Sequence, residues 1–329
     1  MNITPSASSP SGAGSPQAGV TGSRVKGSRV AGSGASSPGT DRRRNYARRY
    51  WIFIAPAALV VLAVILFPWV FTVFMSVHDW KITGATPFVG LDNYIRMFSD
   101  ERFLWAVVRT LWFTAASVIA PVILGVWAAV CFASTFKFRG VLRTLFVLPM
   151  MATPVAISLV WTMMFHPQLG VLNYLLSLVG LPPSSWVYAS STVIPTLVLV
   201  ETWQWTPLVM LIVLGGIASL PADPYEAAIL DGASTWQMFW HITLPLAWPF
   251  IVVASVIRMI DALKAFDTIY VITLGGPGTA SETLNILLYH TAFAYYELGY
   301  GSAMVVIFFV IILLISLLLL HVRQRQAWQ

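Results

Sequence analysis

Between residues 223 and 245 three carboxylates, Asp223, Glu226 and Asp231, stand in a stretch with no lysine or arginine. Asp223-Pro224-Tyr225-Glu226 has the form of a helix start. Asp223 suits the N-cap, Pro224 the first helical position, and Glu226 is placed to reach back to the cap. Gly232 can take the left-handed conformation that closes the turn. Ser234 to Gln237 repeats a capping box, opening a second helix expected to stop before Pro245. Tyr225, Ile229, Trp236 and Phe239 give this pair an apolar face. Capping alone explains Glu226, but neither the missing basic residues nor that face. A docking surface explains both.

A second group of polar residues lies within apolar sequence. Arg258, Asp261, Lys264 and Asp267 alternate in sign at a spacing of three. Neighbours so spaced can pair along a helix as a self-neutralising ladder, or part of the stripe can line a hydrated pocket. A charge at the centre of a span costs about 2.5–3.5 kcal/mol on insertion scales, so these groups must face protein or water. Glu201-Thr202-Trp203-Gln204-Trp205 sets a carboxylate, an amide and two indoles together. That mixture suits a sugar, whose hydroxyls take bidentate polar partners and whose C–H faces stack on rings. Interface anchoring by tryptophan is the plainer alternative. His78, His166, His241, His290 and His321 show no metal-ligand spacing, and Cys131, the single cysteine, excludes an intrachain disulfide. No phosphate loop occurs, since Gly275-Gly276-Pro277-Gly278 lacks the lysine. Nor is there a Ser/His pair or an H-E-x-x-H helix for an intramembrane enzyme, or a filter-like segment for a channel. An enzymatic role for the chain is not expected.

The elements that must position these residues are membrane helices. The chain is 57% hydrophobic and 10% charged, with a mean hydropathy of +0.77; a soluble domain could not cover so much apolar surface. Six spans are expected, near 51–76, 106–134, 142–165, 191–219, 246–265 and 302–321, in an all-α membrane protein. The third carries Pro149 and Pro154. Residues 1–45, rich in Ser, Gly and Pro, are expected to form a disordered cytoplasmic tail without the apolar core of a cleavable signal, leaving 46–329 as the six-helix transmembrane domain. Eight of the 19 basic residues precede residue 50. Three more lie at 135–145, and Arg323 and Arg325 near the end. This asymmetry puts both termini in the cytoplasm and argues against nucleic acid as a partner. The loop between spans four and five is then cytoplasmic, yet it has no basic residue.

Glu226-Ala227-Ala228, three residues, Gly232, nine residues, then Ile242-Thr243-Leu244-Pro245 resembles the EAA signature of type I ABC importer permeases. Phe88-Val89-Gly90-Leu91-Asp92-Asn93-Tyr94, Ile272-Thr273-Leu274-Gly275-Gly276-Pro277, Ser281-Glu282-Thr283 and Leu298-Gly299-Tyr300-Gly301-Ser302-Ala303 are similar to external segments of the carbohydrate branch, the maltose and glycerol-phosphate type. The resemblance spans about residues 50–322, without the long external domain of the maltose permease. It implies a six-helix permease whose coupling loop, 222–245, inserts into a separate ATP-hydrolysing subunit. Glu226, Ala227, Ala228, Asp231, Gly232, Ile242, Leu244 and Pro245 would form that contact. The implied partners are a second permease, two ATPase subunits that bind the ATP and magnesium, and an extracytoplasmic solute-binding protein, in the plasma (inner) membrane of a prokaryote. By the same analogy, the substrate path would include Glu201, Gln204, Trp205, Arg258, Asp261 and Lys264. Glycerol phosphate or a polyamine are the alternative cargoes.

Overall fold

The structure, a computed structural model, describes residues 39–80, 84 and 86–326. Most of the tail expected over 1–45 therefore lies outside the described residues, and the first helix begins at Gly39. The chain divides into two compact units at Val61/Leu62. In the first, the described residues are helical and leave Trp51, Phe53 and Leu59 exposed.

Helices account for the regular structure among the described residues, with one isolated bridge between His78 and Phe88. In order they are α1 (Gly39–Ser76), α2 (Asp92–Ser99), α3 (Glu101–Ala133), α4 (Arg139–Met151), α5 (Pro154–Met164), α6 (Val171–Leu178), α7 (Val193–Ile217), α8 (Asp223–Leu230), α9 (Thr235–Met238), α10 (Leu244–Leu263), α11 (Asp267–Thr273), α12 (Leu284–Tyr289) and α13 (Leu298–Gln326). Five of the described helical stretches are long and apolar enough to cross a membrane. The pair α4 and α5 makes a sixth crossing if taken as one span.

The third span is not the continuous helix expected over 142–165, for α4 and α5 meet at a 96° bend. Ala152 and Thr153 are extended there, and Pro154 opens α5. Proline's ring pushes the preceding residue out of the helical region, so the chain turns instead of crossing straight.

Proline at 245 has the opposite outcome. Thr235–Leu263 is one continuous helical stretch, where a stop before Pro245 was expected. Phe239–Thr243 winds as a π-turn, and Leu244 donates its N–H to the Phe239 carbonyl, five residues back. The wider turn carries the ladder past the proline, which then sits in the first turn of α10.

The bundle packs around α7. Ser117 and Glu201 meet at one level, through Arg258, and Gly125 meets Val209 further along, so α3 and α7 run parallel. α10 runs against them, its Arg258 at the level of Glu201 and its Phe250 on Gly216. A β-carbon on Gly125 would lie 2.6 Å from Val209 Cβ, so only glycine permits this approach. Between helices whose solvent is lipid, such small-residue contacts supply packing that hydrophobic exclusion cannot. Val126, Ala129, Val209, Met210, Val213, Ala247 and Ile251 fill the core between these helices.

Candidate functional site

The 218–245 connection is a helix, a glycine turn and a second helix, as expected. Its first cap differs. Asp223 is the first residue of α8 rather than its cap, Ala222 precedes it in a helical conformation, and no side chain caps the start. The closing turn is a Schellman motif: Ala233 N–H donates to the Ala228 carbonyl at 2.9 Å and Gly232 N–H to that of Ile229 at 3.1 Å. Gly232 has φ +75. The capping box follows, with Ser234 N–H donating to Gln237 Oε1 at 2.8 Å and Gln237 N–H to Ser234 Oγ at 3.3 Å. The Tyr225 hydroxyl donates to Thr243 Oγ1 at 3.2 Å and ties the two arms.

The apolar face divides. Phe239 packs on the core between α3, α7 and α10, and Tyr225 is half-buried. Ile229, Leu230, Trp236 and Trp240 remain exposed, Leu230 at 88%. The Asp223, Glu226 and Asp231 carboxylates are exposed beside them. Trp236 packs on Phe239 and Trp240 with ring centroids 5.8 and 5.7 Å apart, which fixes the shape of the patch. A groove of about 370 Å³, lined by Ala228, Asp231, Gly232 and Ile242 among others, runs along the turn. Each side chain of this size that a partner covers adds about 1.5–3 kcal/mol.

The second site lies among α7, α10 and α11. A cavity of about 330 Å³ is lined by Glu201, Trp205, Arg258, Asp261, Lys264, Phe266, Asp267 and Thr268, together with Pro154 and Ala265. Arg258 is buried at 1% exposure and Glu201 at 4%. Arg258 Nη2 donates to Glu201 Oε2 at 3.1 Å and to the Ser117 carbonyl at 3.2 Å. The Thr268 hydroxyl donates to Glu201 Oε1 at 2.9 Å. The Trp205 ring faces the guanidinium at 5.1 Å. Arg258 Nε is buried with no hydrogen-bond partner among the described protein atoms.

The ladder reading of these charges is overturned. Arg258 pairs across to α7 instead of along its own helix, and α10 ends at Leu263, so Lys264 and Asp267 fall outside its register. Asp261, Lys264 and Asp267 are exposed residues lining the cavity and form no ion pair among the described residues. Gln204 departs from the expected set as well. It is fully buried and donates towards the Ala152 carbonyl at 3.4 Å, at the bend between α4 and α5. The two indoles also separate: Trp205 lines the charged cavity, whereas Trp203 lines an apolar groove of about 990 Å³ bounded by α3, α4 and α7.

The segments around 76–102 and 272–303 form a joint that sequence reasoning did not assign. Asn93 Nδ2 donates to the Ser76 and His78 carbonyls at 2.9 and 3.1 Å, and the Tyr94 hydroxyl to Ser76 Oγ at 2.7 Å. Gly299 packs directly on the His78 carbonyl, leaving no room for a β-carbon. Buried Glu282 receives both forks of Arg102, at 2.7 and 2.8 Å, and His290 Nδ1 lies 3.3 Å from it. Leu284 N–H donates to Thr110 Oγ1 at 2.8 Å, locking α12 to α3. The repeated glycines of these segments were the available signal, because glycine marks close backbone approaches.

The sequence profile of the binding-protein-dependent transport system inner membrane component family matches residues 122–328. The chain belongs to that family. It is an ABC transporter permease, a multi-pass transport subunit, and the matched region contains both the α8–α9 loop and the charged cavity. Among characterised relatives, the trehalose/maltose transport system permease MalF of Thermococcus litoralis is 37% identical over 84% of this chain and 94% of its own length. The trehalose transport system permease SugA of Mycobacterium tuberculosis is 33% identical over 82% of this chain and 86% of its own. Among solved structures, a bacterial alginate ABC transporter in complex with an alginate pentasaccharide-bound periplasmic protein has a chain with a TM-score of 0.76. It is 23% identical and covers 86% of this permease and 98% of its own chain, a likeness of fold.

Proposed function

We propose that this permease is one of two membrane subunits of a carbohydrate importer, driven by ATP hydrolysed on separate subunits. The observation that carries the cargo is the cavity where Glu201, Trp205 and Arg258 meet beside the charged rim of Asp261, Lys264 and Asp267. Carboxylates and a guanidinium offer the bidentate acceptors and donors that sugar hydroxyls take, and an indole face suits their C–H surfaces. The relatives whose names specify trehalose and maltose support the same class.

The drive enters at the exposed loop. Glu226, Ala227, Ala228, Asp231 and Gly232, with Ile242, Leu244 and Pro245 behind them, form the ATPase contact. Exposed Ile229, Leu230 and Trp236 supply the apolar area that such a contact buries. ATP and magnesium belong to that partner. A solute-binding protein delivers the sugar at the opposite end of the bundle, to the loops around 77–105 and 266–301. The abundance of Lys and Arg near the two ends supports cytoplasmic termini, with residues 1–45 as a cytoplasmic tail outside the six-helix domain.

The test is reconstitution of the full complex with its binding protein, followed by ATP hydrolysis in the presence of single solutes. Stimulation by a disaccharide such as trehalose or maltose is expected. Stimulation confined to a polyamine or glycerol phosphate sinks the carbohydrate reading. Failure to capture any ATPase subunit sinks the coupling reading.

A further inference from the structure

Four aromatic rings lead out of the charged cavity. Phe266 lines the cavity itself. Its ring stacks on Tyr270 at 5.0 Å and 15° and meets Tyr289 at 5.2 Å. Tyr289 meets Tyr270 at 5.0 Å and Phe293 at 5.3 Å, and Phe293 is 62% exposed. The series thus runs unbroken from the polar pocket to the surface.

Two features distinguish it from ordinary packing. Phe266, Tyr270 and Tyr289 are only half-buried, Phe266 and Tyr270 resting on one side against the buried cluster of Ile269, Ile272 and Ile286, whereas a core aromatic is closed on every side. The outer end sits on a π-turn, His290–Ala294, followed by Tyr296 at φ +59. Both are conformations that proteins keep mainly where function requires them. Tyr289 beside it also holds the Tyr270 phenol above its ordinary range. A strip bound for lipid or for another subunit has no reason to end among Asp261, Lys264 and Asp267. A path for a molecule with apolar faces and many hydroxyls does.

We infer that Phe293, Tyr289, Tyr270 and Phe266 form a stacking track on which pyranose rings pass between the outer surface and the Glu201–Arg258 cavity. The inference rests on the carbohydrate reading above. Each ring offers a face to the C–H surface of one sugar, and centroid steps of about 5 Å let a saccharide release one ring while holding the next. Longer saccharides engage more rings and depend on the track more.

The experiment uses the complete complex with its binding protein in proteoliposomes and radiolabelled trehalose, maltose and maltotriose. Tyr289→Leu and Phe293→Leu are expected to assemble with their partners and to slow uptake about three- to tenfold, more for the trisaccharide than for the disaccharides. Tyr289→Phe keeps the stacking face and should restore uptake. Wild-type rates in both leucine variants overturn the track alone. Loss of complex assembly in them shows that the rings serve only to hold subunits together, and overturns it too. A wild-type complex that takes up none of these sugars removes the carbohydrate reading and the track with it.

Discussion

Arg258 and Glu201 were the residues most conspicuous in the sequence, because a charge inside an apolar run is expensive unless something answers it. Their depth was legible; their pairing was not. The spacing of three suggested partners along one helix, and α10 ends at Leu263 before that register can be used. The true partner lies 57 residues away on α7, a contact that only the packing of three helices brings about. Breaking such a pair from one side strands a buried charge, at about 3–5 kcal/mol, whereas replacing both sides can be nearly neutral. Arg258→Met should therefore lower the thermal stability of the purified complex sharply. Adding Glu201→Leu should recover most of that stability without recovering uptake. Full recovery of uptake in the double variant would remove these residues from the substrate path. At Gly125 a methyl group is expected to be felt, because Val209 Cβ is 2.6 Å from where it would stand. Gly125→Ala should destabilise by about 1–3 kcal/mol, the usual range for overpacking, measured as a lower melting temperature in detergent.

At the level of elements, turn chemistry read well and helix continuity read badly. Gly232 and the Ser234–Gln237 box have the conformations their residue types imply, since both depend only on neighbours in the chain. Pro154 was expected inside a continuous span and Pro245 just past a helix stop, and each does the reverse. One follows two extended residues and bends the span through 96°. The other follows a π-turn and leaves its helix continuous. What distinguishes them is where the flanking helices must go, and that is a property of the assembled bundle. Gly232 has open space around it, so a substitution there is opposed by backbone strain alone, about 1–2 kcal/mol for a branched L-residue in the left-handed region. Gly232→Val should insert and fold yet lose most sugar-stimulated ATP hydrolysis, while Gly232→Asn, which tolerates this conformation, should keep much of it. Equal activity in the two would detach the turn from coupling.

For the whole molecule, five crossings and their approximate places were legible from hydropathy, with a sixth if the bent α4–α5 pair is taken as one span, because lipid leaves a chain few choices. The surfaces left open were legible only in part. Ile229, Leu230 and Trp236 remain bare at one end, and an apolar groove of about 990 Å³ opens on the side. Co-expression with a second permease and an ATPase subunit should raise the yield and melting temperature of the chain. Replacing Trp236 and Leu230 by serine should abolish ATPase capture while leaving the permease pair intact. Affinity purification followed by a subunit count decides this. The continuous stretch Thr235–Leu263 has a mechanical consequence. It is a stiff beam with its root in the exposed patch and Arg258 near its far end, and its π-turn is the natural fulcrum. From Thr243 to Arg258 the beam measures about 22 Å at ~1.5 Å per residue. A swing of about 10° at the fulcrum therefore carries the guanidinium about 4 Å, further than the 3.1 Å that joins it to Glu201.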